Sequence, residues 1–296
     1  MKESKELTKD QMIPAALCLE GGSLRGLFTA GVLDVLMENN IYTSYVNGVS
    51  AGSMCGMSYV SRQPGRTKHV NIDYLHDRRY ISLKNLMTHR QIFNFEFLFG
   101  RLSSEYLPFD WKTFFASPQK FETVATRCRT GQAEYFDKDT CPTIVAALEA
   151  SASMPLLSRM ITVEGKKYLD GGVSVPIAYE RAFDLGYCKV IAVLTREEDY
   201  RKEPISKWMV KGYERYFKPL PEFLVAVKTR PERYNNMLSD LKKMETEGKI
   251  FIIRPQKPVQ VKRVEQDPEK LEALYREGRR VTEEMLPAIR QYLEIR

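Results

Sequence analysis

The sequence predicts a three-layer α/β/α fold with a mainly parallel central sheet and a helical segment at the C-terminal end. Two observations carry this prediction. In the first 60 residues, apolar strand-like runs alternate with helical patterns, and each strand ends in a glycine-rich turn. This βαβα order is typical of parallel sheets, whose functional residues lie at the carboxyl ends of the strands. In the last hundred residues, apolar side chains instead recur at helical spacing among many charged ones.

The βαβα pattern can be followed in chain order. An apolar run at residues 15–20 predicts a buried strand that leads directly into a glycine turn. Residues 24–37 then show a helical pattern, and a short strand is predicted at residues 42–47. A second glycine turn at residues 48–52 opens another helix. Both turns are therefore expected at the same edge of the sheet.

In the middle of the chain, strand-like runs separated by short glycine-containing turns predict two hairpins. Residues 122–128 pair with 133–136 in the first, and residues 160–163 pair with 166–169 in the second. The further elements predicted there and beyond are a helix at 142–151 and strands at 189–195 and 249–253.

The C-terminal part predicts two long helices. Thr229 and Glu232 have capping-box spacing, which predicts that one helix begins there. Asp267 is a suitable N-cap, with Pro268 at the first helical position of the other. Pro287 should kink or split that second helix.

Composition and charge narrow the class of protein. The 296 residues are 43% hydrophobic and 28% charged, as in an ordinary globular protein. No apolar run approaches the roughly 18 residues that cross a bilayer. The charged segment at residues 1–6 lacks the apolar region of a signal peptide, so we expect a soluble, cytoplasmic protein.

The net charge of +7 lies mostly in residues 196–296. This excess is small beside the basic stripe of a nucleic-acid-binding protein, so no nucleic-acid partner is predicted. It suits peripheral contact with an anionic membrane surface, or solubility alone. The oligomeric state is left open. The five cysteines contain no C-x-x-C pair, so neither a metal site nor a disulfide framework is predicted.

The two glycine turns carry the chemistry. The second reads Gly48-Val49-Ser50-Ala51-Gly52, a G-x-S-x-G that offers Ser50 as a nucleophile. The first, at residues 20–26, offers backbone N–H groups for the oxyanion that attack by a serine creates. A G-x-S-x-G alone is weak evidence, and a turn like the first also occurs in dinucleotide-binding loops. Together they indicate acyl transfer to a serine.

A serine nucleophile needs a base. The chain has three histidines, His69, His76 and His89, so no histidine follows the serine at the late position that the usual α/β-hydrolase order requires. We take these three as ordinary surface or loop residues. Asp170 instead ends a predicted strand and precedes two glycines, which let the backbone turn sharply toward Ser50. A Ser50–Asp170 dyad needs no histidine.

In this order, the motifs resemble those of the patatin-like phospholipases. They are Gly-Gly-x-x-Arg-Gly at residues 21–26, Gly-x-Ser-x-Gly at 48–52, Ala-Ser-x-Ser-x-Pro at 150–155 and Asp-Gly-Gly at 170–172. The resemblance covers residues 14–195, which would form the acyl hydrolase core, with a mostly helical extension at 196–296 packing on it. Members cleave lipid esters, and the bacterial and plant branches need no metal, so the resemblance implies no cofactor.

The resemblance also implies roles for residues of this chain. Ser50 would be the nucleophile, framed by Gly48 and Gly52, and Asp170 the base. The oxyanion hole would be formed by amides around Gly21, Gly22 and Ser23, with Arg25 nearby. Ser23 stands where a third glycine is common in the family, and serine disfavours a positive φ.

The sequence therefore predicts a serine acyl hydrolase that cleaves phospholipid or lysophospholipid esters through an acyl-enzyme. A non-catalytic lipid-binding module and an acyltransferase on the same fold are the alternatives. Phenylalanines alternate over residues 93–99, which suits either an acyl pocket or a buried strand. Aromatic and basic residues interleave over residues 200–218, which suits either a lipid interface or a helix with one buried face.

Overall fold

The structure, a computed structural model, describes residues 8–88 and 90–295. The charged segment at residues 1–6 and His89, which both entered the sequence argument, lie outside the described residues.

The described residues form one eight-stranded sheet with the strand order β5-β6-β3-β2-β1-β7-β8, and β4 pairs with β3 beside this path. The strands are β1 (Ile13–Leu19), β2 (Thr43–Val49), β3 (Lys120–Arg127), β4 (Ala133–Asp137), β5 (Ile161–Val163), β6 (Lys166–Asp170), β7 (Val190–Val193) and β8 (Phe251–Ile253). Strands β3, β2, β1, β7 and β8 run parallel, whereas β4, β6 and β5 form antiparallel pairs. Both predicted hairpins are confirmed.

Helices cover the sheet. They are α1 (Gly26–Glu38), α2 (Ala51–Val60), α3 (Arg66–Ile72), α4 (Leu83–Thr88), α5 (Phe95–Phe97), α6 (Trp111–Ala116), α7 (Ile144–Ser151), α8 (Tyr179–Asp184), α9 (Lys207–Tyr216), α10 (Pro221–Thr246) and α11 (Pro268–Leu293). Short 3₁₀ turns occur at Ser23–Arg25 and Gly171–Val173, and Leu98–Tyr106 forms a kinked π-helix. The predicted α/β/α fold with its C-terminal helices is confirmed. In the described ranges, no helix is long and apolar enough to cross a membrane.

The last helix packs tightly on the first. A Cβ added at Gly31 of α1 would lie 2.2 Å from the carbonyl oxygen of Tyr275, and one at Gly278 of α11 would lie 2.1 Å from that of Phe28. Only glycine allows this approach. The Tyr275 hydroxyl also donates to buried Asp34 at 2.7 Å. Burial raises the pKa of the Asp34 carboxyl, so this hydrogen bond partly offsets the cost of its charge.

The predicted start of the first C-terminal helix is wrong. Helix α10 begins at Pro221 rather than at Thr229, so Pro231 lies inside it. Pro231 has no N–H to donate to the carbonyl of Val227, four residues earlier. The Arg233 side chain donates to the neighbouring carbonyl of Ala226 at 2.9 Å. Helix α11 runs through Pro287 without splitting, so a kink at that proline stays a prediction. Its predicted start is confirmed, since the Asp267 side chain caps its first turn.

Candidate active site

Ser50 occupies the turn between β2 and α2 in a strained conformation, with φ 56° and ψ −120°. Neighbouring glycines make this sharp turn feasible. A Cβ at Gly48 would lie 2.5 Å from the amide nitrogen of Ser53, and one at Gly52 would lie 2.3 Å from the carbonyl oxygen of Leu19. The turn therefore lies against the end of β1, where the first glycine loop begins. Strain of this kind persists only where the surroundings hold it.

Asp170 lies within hydrogen-bond distance of Ser50. The Ser50 hydroxyl donates to Oδ2 of Asp170 at 3.0 Å, and both residues are buried. The other carboxylate oxygen, Oδ1, accepts the N–H of Gly172 at 2.7 Å. The carbonyl of Ser153 accepts the Asp170 N–H, and the hydroxyl of Thr126 donates to the Asp170 carbonyl, both at 2.8 Å. Side chain and backbone are thus both fixed.

A group of buried hydroxyls supports the serine turn from the side of α7. The backbone N–H of Ser50 donates to the hydroxyl of Ser151 at 2.8 Å. Ser53 lies 3.2 Å from that hydroxyl and 2.7 Å from that of Thr123, and its own hydroxyl donates to the Gly48 carbonyl. This network ties the turn to β3 and α7.

The first glycine loop lies directly beside Ser50, because a Cβ at Gly21 would be 3.1 Å from the Cβ of Ser50. Gly21 donates its N–H to the carbonyl of Pro176 at 3.3 Å. Among the described residues, the N–H groups of Gly22 and Ser23 have no acceptor. Ser23 adopts φ 53°, and its hydroxyl donates to the Arg263 carbonyl at 2.6 Å. That contact holds serine in a conformation usually left to glycine.

The acidic residue before this loop has a structural role. Glu20 is buried, and its carboxylate accepts the N–H of Thr195 at 2.5 Å and the hydroxyl of Tyr234 at 2.7 Å. Burial, and then the negative charge of Glu20, raise the pKa of Tyr234 well above its usual value, so its hydroxyl keeps its proton. Both carboxylate oxygens of Glu20 are therefore engaged.

Two cavities meet at Ser50. The first measures about 70 Å³ and is mainly apolar. It lies between α1, α2 and the segment after residue 92, and its walls include Leu27, Met54, Phe93, Phe95, Phe99 and Ala152. Three of the four alternating phenylalanines thus line a cavity. They do not form the alternative buried strand, since Phe95–Phe97 is helical and Leu98–Tyr106 is a π-helix.

The second cavity measures about 270 Å³, and apolar and polar side chains both line it. We call it the polar cavity because its walls, unlike those of the first, hold a group of charged side chains. Asp170, Gly22 and Ser50 form its inner end, and Trp208 and Tyr213 of α9 also line it. Five basic side chains line the same cavity: Arg25, Arg196, Lys202, Arg230 and Arg263. Four of these five belong to the chain beyond residue 195.

The described histidines lie elsewhere. His69 and His76 are exposed and line neither cavity, and His69 contacts Asp73 at 2.8 Å. In the stretch at residues 200–218, Trp208 and Tyr216 are exposed, whereas Phe217 is buried. That segment therefore presents aromatic rings both to the core and to solvent.

The family is decided by a comparison with protein-family models. The model described as patatin-like phospholipase matches residues 17–180, which is more than half of the chain. The chain belongs to the patatin-like phospholipase family. A second model, a domain of unknown function (DUF6363), matches residues 220–294.

Other relatives of this patatin-like chain are more distant. An uncharacterised protein of Escherichia coli (strain K12), YjjU, is 28% identical over 252 residues, which are 82% of this chain and 69% of that protein. VipD from Legionella pneumophila aligns with a TM-score of 0.49 at 14% identity, over 97% of this chain and 72% of that one. Human GIVD cytosolic phospholipase A2, in complex with a fluorophosphonate inhibitor, aligns with a TM-score of 0.46 at 11% identity. This alignment covers 99% of the patatin-like chain and 60% of the human one.

Several residues around the site of this patatin-like chain were not singled out from its sequence. Ala51 begins α2, so its N–H has no acceptor within the helix, and G-x-S-x-G enzymes commonly use the amide after the serine. The G-x-S-x-G motif at residues 48–52 could therefore have indicated Ala51 as an oxyanion donor. Ser151 stood in a recognised block, but nothing indicated its contact with Ser50. The basic residues of the second cavity come from separate segments and share no sequence pattern.

Proposed function

We propose that this patatin-like protein is a serine acyl hydrolase that cleaves carboxylic esters of phospholipids or lysophospholipids through an acyl-enzyme. The observation that carries the proposal is the 3.0 Å hydrogen bond from the Ser50 hydroxyl to Asp170 at the junction of two cavities. A serine hydroxyl is a weak nucleophile until a base removes its proton. The Asp170 carboxylate lies where it can accept that proton directly.

The reaction would proceed in two halves. Ser50 Oγ bonds to the ester carbonyl carbon while its proton passes to Asp170. When the tetrahedral intermediate collapses, the ester C–O bond breaks and the alcohol leaves with that proton. Water then attacks the acyl-serine and gives a proton to Asp170. The fatty acid is released as Ser50 regains its proton.

The negative oxygen of each tetrahedral intermediate needs donors. We assign this role to the N–H groups of Gly22 and Ser23, which have no acceptor in the described part of the chain, and of Ala51 at the N-terminus of α2. The helix dipole favours negative charge at that end. Removing one such donor typically costs about 10²–10³ in kcat.

The two cavities suggest how the substrate lies. The apolar cavity beside Ser50, walled by Leu27, Met54 and Phe95, suits the acyl chain. The polar cavity beside Asp170 suits the alcohol part of the ester. The scissile carbonyl then lies between them, next to the serine.

We also propose that α9 makes peripheral contact with an anionic membrane surface. Trp208 is 75% exposed and lines the polar cavity, so its ring lies close to where a lipid would enter. Tyr216, Lys207 and Lys211 are exposed on the same helix. Aromatic rings at headgroup depth with cations on anionic lipid are typical of such surfaces.

The experiment that tests the catalytic proposal is covalent labelling with a fluorophosphonate probe, followed by peptide mass spectrometry. We expect the adduct on Ser50, and neither labelling nor turnover of p-nitrophenyl butyrate in folded Ser50→Ala. Asp170→Asn should lose both by at least about 10³-fold. Ser239→Ala and Asp184→Asn, which change exposed residues that line neither cavity, are the matched controls. Normal turnover in folded Ser50→Ala would overturn the mechanism.

A further inference from the structure

The polar cavity concentrates positive charge from five segments of the chain. Arg25 follows β1, Arg196 follows β7, and Lys202 lies in the loop before α9. Arg230 lies on α10, and Arg263 lies in the loop before α11. Arg263 is exposed at the rim, whereas the other four side chains are half-buried. These five residues come from separate parts of the chain and meet in the wall of one cavity.

The carboxylates of the cavity are too few to neutralise these cations. Its two acidic residues are Glu20 and Asp170. Both oxygens of Glu20 accept hydrogen bonds from Thr195 and Tyr234, and both oxygens of Asp170 accept from Ser50 and Gly172. The charge of Asp170 still acts on Arg230, and that of Glu20 acts on Arg25 and Lys202. Two carboxylates thus face five basic side chains. The cluster therefore keeps an excess of positive charge.

The guanidinium groups also keep unused donors. The Nε atoms of Arg25, Arg196 and Arg230 are shielded from solvent and have no acceptor in residues 8–88 and 90–295. Arg196 is held by its Nη1, which donates to the Val259 carbonyl at 3.1 Å. Buried donors without partners destabilise a fold, so retaining three in one cavity points to an acceptor brought by a ligand.

Burial and mutual repulsion lower the pKa values of two members of the cluster. Burial, and then the charge of Arg196, lower the pKa of Arg25 to about 10. Burial, and then the charge of Arg230, lower the pKa of Lys202 to about 7. The Lys202 ammonium lies 3.9 Å from the centre of the Tyr234 ring. This is the one cation–π contact of Lys202 within the described ranges. An anion in the cavity would relieve this repulsion.

We infer that the polar cavity binds the phosphate monoester of an acylated glycerol phosphate, so that the preferred substrate carries a headgroup with two negative charges and no cation. This inference rests on the proposed function, because it places the ester carbonyl at Ser50 and the phosphate among Arg25, Arg196, Lys202, Arg230 and Arg263. A phosphate monoester carries a charge of about −1.5 to −2 near pH 7 and three acceptor oxygens. Those acceptors match the unused guanidinium donors.

The same charges disfavour other headgroups. Phosphocholine and phosphoethanolamine would bring a cation into a cavity that already holds five. A neutral glyceride would leave the guanidinium donors without acceptors. Bare sulfate or phosphate shares the anionic chemistry, so the test must separate a lipid headgroup from a free anion.

The first arm measures binding without catalysis. Isothermal titration calorimetry on the full-length Ser50→Ala protein, at low ionic strength, uses sn-glycerol 3-phosphate, with glycerol and inorganic phosphate as comparisons. We expect a Kd for glycerol 3-phosphate below about 1 mM and no binding of glycerol. Lys202→Met, Arg230→Met and the rim variant Arg263→Met, each added to Ser50→Ala, should weaken binding by at least about 10-fold. The matched controls are Lys112→Met and Arg78→Met, which change exposed residues outside both cavities.

The second arm measures turnover with two water-soluble octanoyl esters that differ only by the phosphate: 1-octanoyl-glycerol 3-phosphate and 1-octanoyl-glycerol. Because both substrates are monomeric in water, no charged membrane surface contributes to the difference in their rates. We expect kcat/KM to favour the phosphate ester by at least about 10-fold, and Lys202→Met or Arg263→Met to reduce that preference.

Each outcome decides the inference. Binding of glycerol 3-phosphate together with preference for the phosphate ester supports it. Binding of inorganic phosphate without such preference overturns the headgroup assignment in favour of a free anion. Absence of binding to any phosphate overturns the anion site altogether. If the fluorophosphonate leaves Ser50 unlabelled, the proposed function fails, and calorimetry still decides whether the cavity binds a phosphate monoester.

Discussion

The hydroxyl of Ser151 accepts the backbone N–H of Ser50 at 2.8 Å, which joins the last residue of α7 to the strained turn of the nucleophile. The turn has φ 56° at Ser50, a conformation that costs about 1–3 kcal/mol and persists only when neighbours hold it. Ser151 also lies 3.2 Å from the hydroxyl of Ser53, so one side chain contacts both ends of the first turn of α2. We regard Ser151 as a positioning residue.

We therefore expect Ser151→Ala to lower kcat by about 10–100-fold with little change in KM, because small misplacements of a reacting group cost about that much. Steady-state kinetics with p-nitrophenyl butyrate and the rate of fluorophosphonate labelling would measure the effect. Ser151→Thr, which restores a hydroxyl, should recover part of the loss. Ser153→Ala is the control, since its side chain donates to the Glu149 carbonyl and does not contact Ser50. Equal losses in Ser151→Ala and Ser153→Ala would show that general packing of α7 is responsible.

The apolar cavity predicts a limit on acyl chain length. Ala152 lines this cavity and does not line the polar one. Ala152→Leu should fill part of the roughly 70 Å³ and lower kcat/KM for octanoyl esters by about 10-fold relative to acetyl esters. Chain-length profiles of p-nitrophenyl esters would measure this shift. Ala116→Leu, at an exposed position on α6, should leave the profile unchanged, and an unchanged profile in Ala152→Leu would place the acyl chain elsewhere.

The parts of the structure that local patterns encode were predictable. The buried run before each glycine turn indicated β1 and β2, and the helical spacing after each indicated α1 and α2. Asp170 was found by elimination, because a chain without a late histidine needs another base. Its approach to within 3.0 Å of Ser50 agrees with that prediction of proximity, while its catalytic role stays a prediction.

The parts that depend on tertiary contacts were not predictable. Thr229 has the spacing of a helix start, yet α10 begins at Pro221 and buries Phe223, Val227 and Tyr234 on both sides of Pro231. Tertiary packing of this kind overrides a local signal. The alternating phenylalanines suited a strand, yet they line a cavity from helices and turns. The polar cavity brings Arg25 together with basic residues that lie more than 170 positions later in the sequence. No local sequence pattern predicts that proximity.

We expect helix α9 to contact lipid, and replacement of one side chain, Trp208, tests this. Trp208 is 75% exposed at the mouth of the polar cavity. Trp208→Ser should lower the affinity for phosphatidylglycerol vesicles by at least about 5-fold, since even partial burial of a large ring contributes on the order of 1 kcal/mol. Vesicle sedimentation would measure this affinity, with zwitterionic phosphatidylcholine vesicles, which have no net charge, as the comparison. Met87→Ser removes an equally exposed apolar side chain that lines neither cavity and should bind normally.

Lys202 predicts a pH dependence specific to phosphate-bearing substrates. Burial and the nearby Arg230 lower its pKa to about 7, so the free protein loses this positive charge as the pH rises through 7. For 1-octanoyl-glycerol 3-phosphate, kcat/KM should therefore fall between about pH 7 and 9, because kcat/KM reports groups of the free enzyme. Since a bound dianion favours the charged lysine, the corresponding fall in kcat should move to higher pH. The neutral 1-octanoyl-glycerol should lack this alkaline fall, and Lys202→Met should abolish it for the phosphate ester. An identical fall with both substrates, retained in Lys202→Met, would assign it to another group.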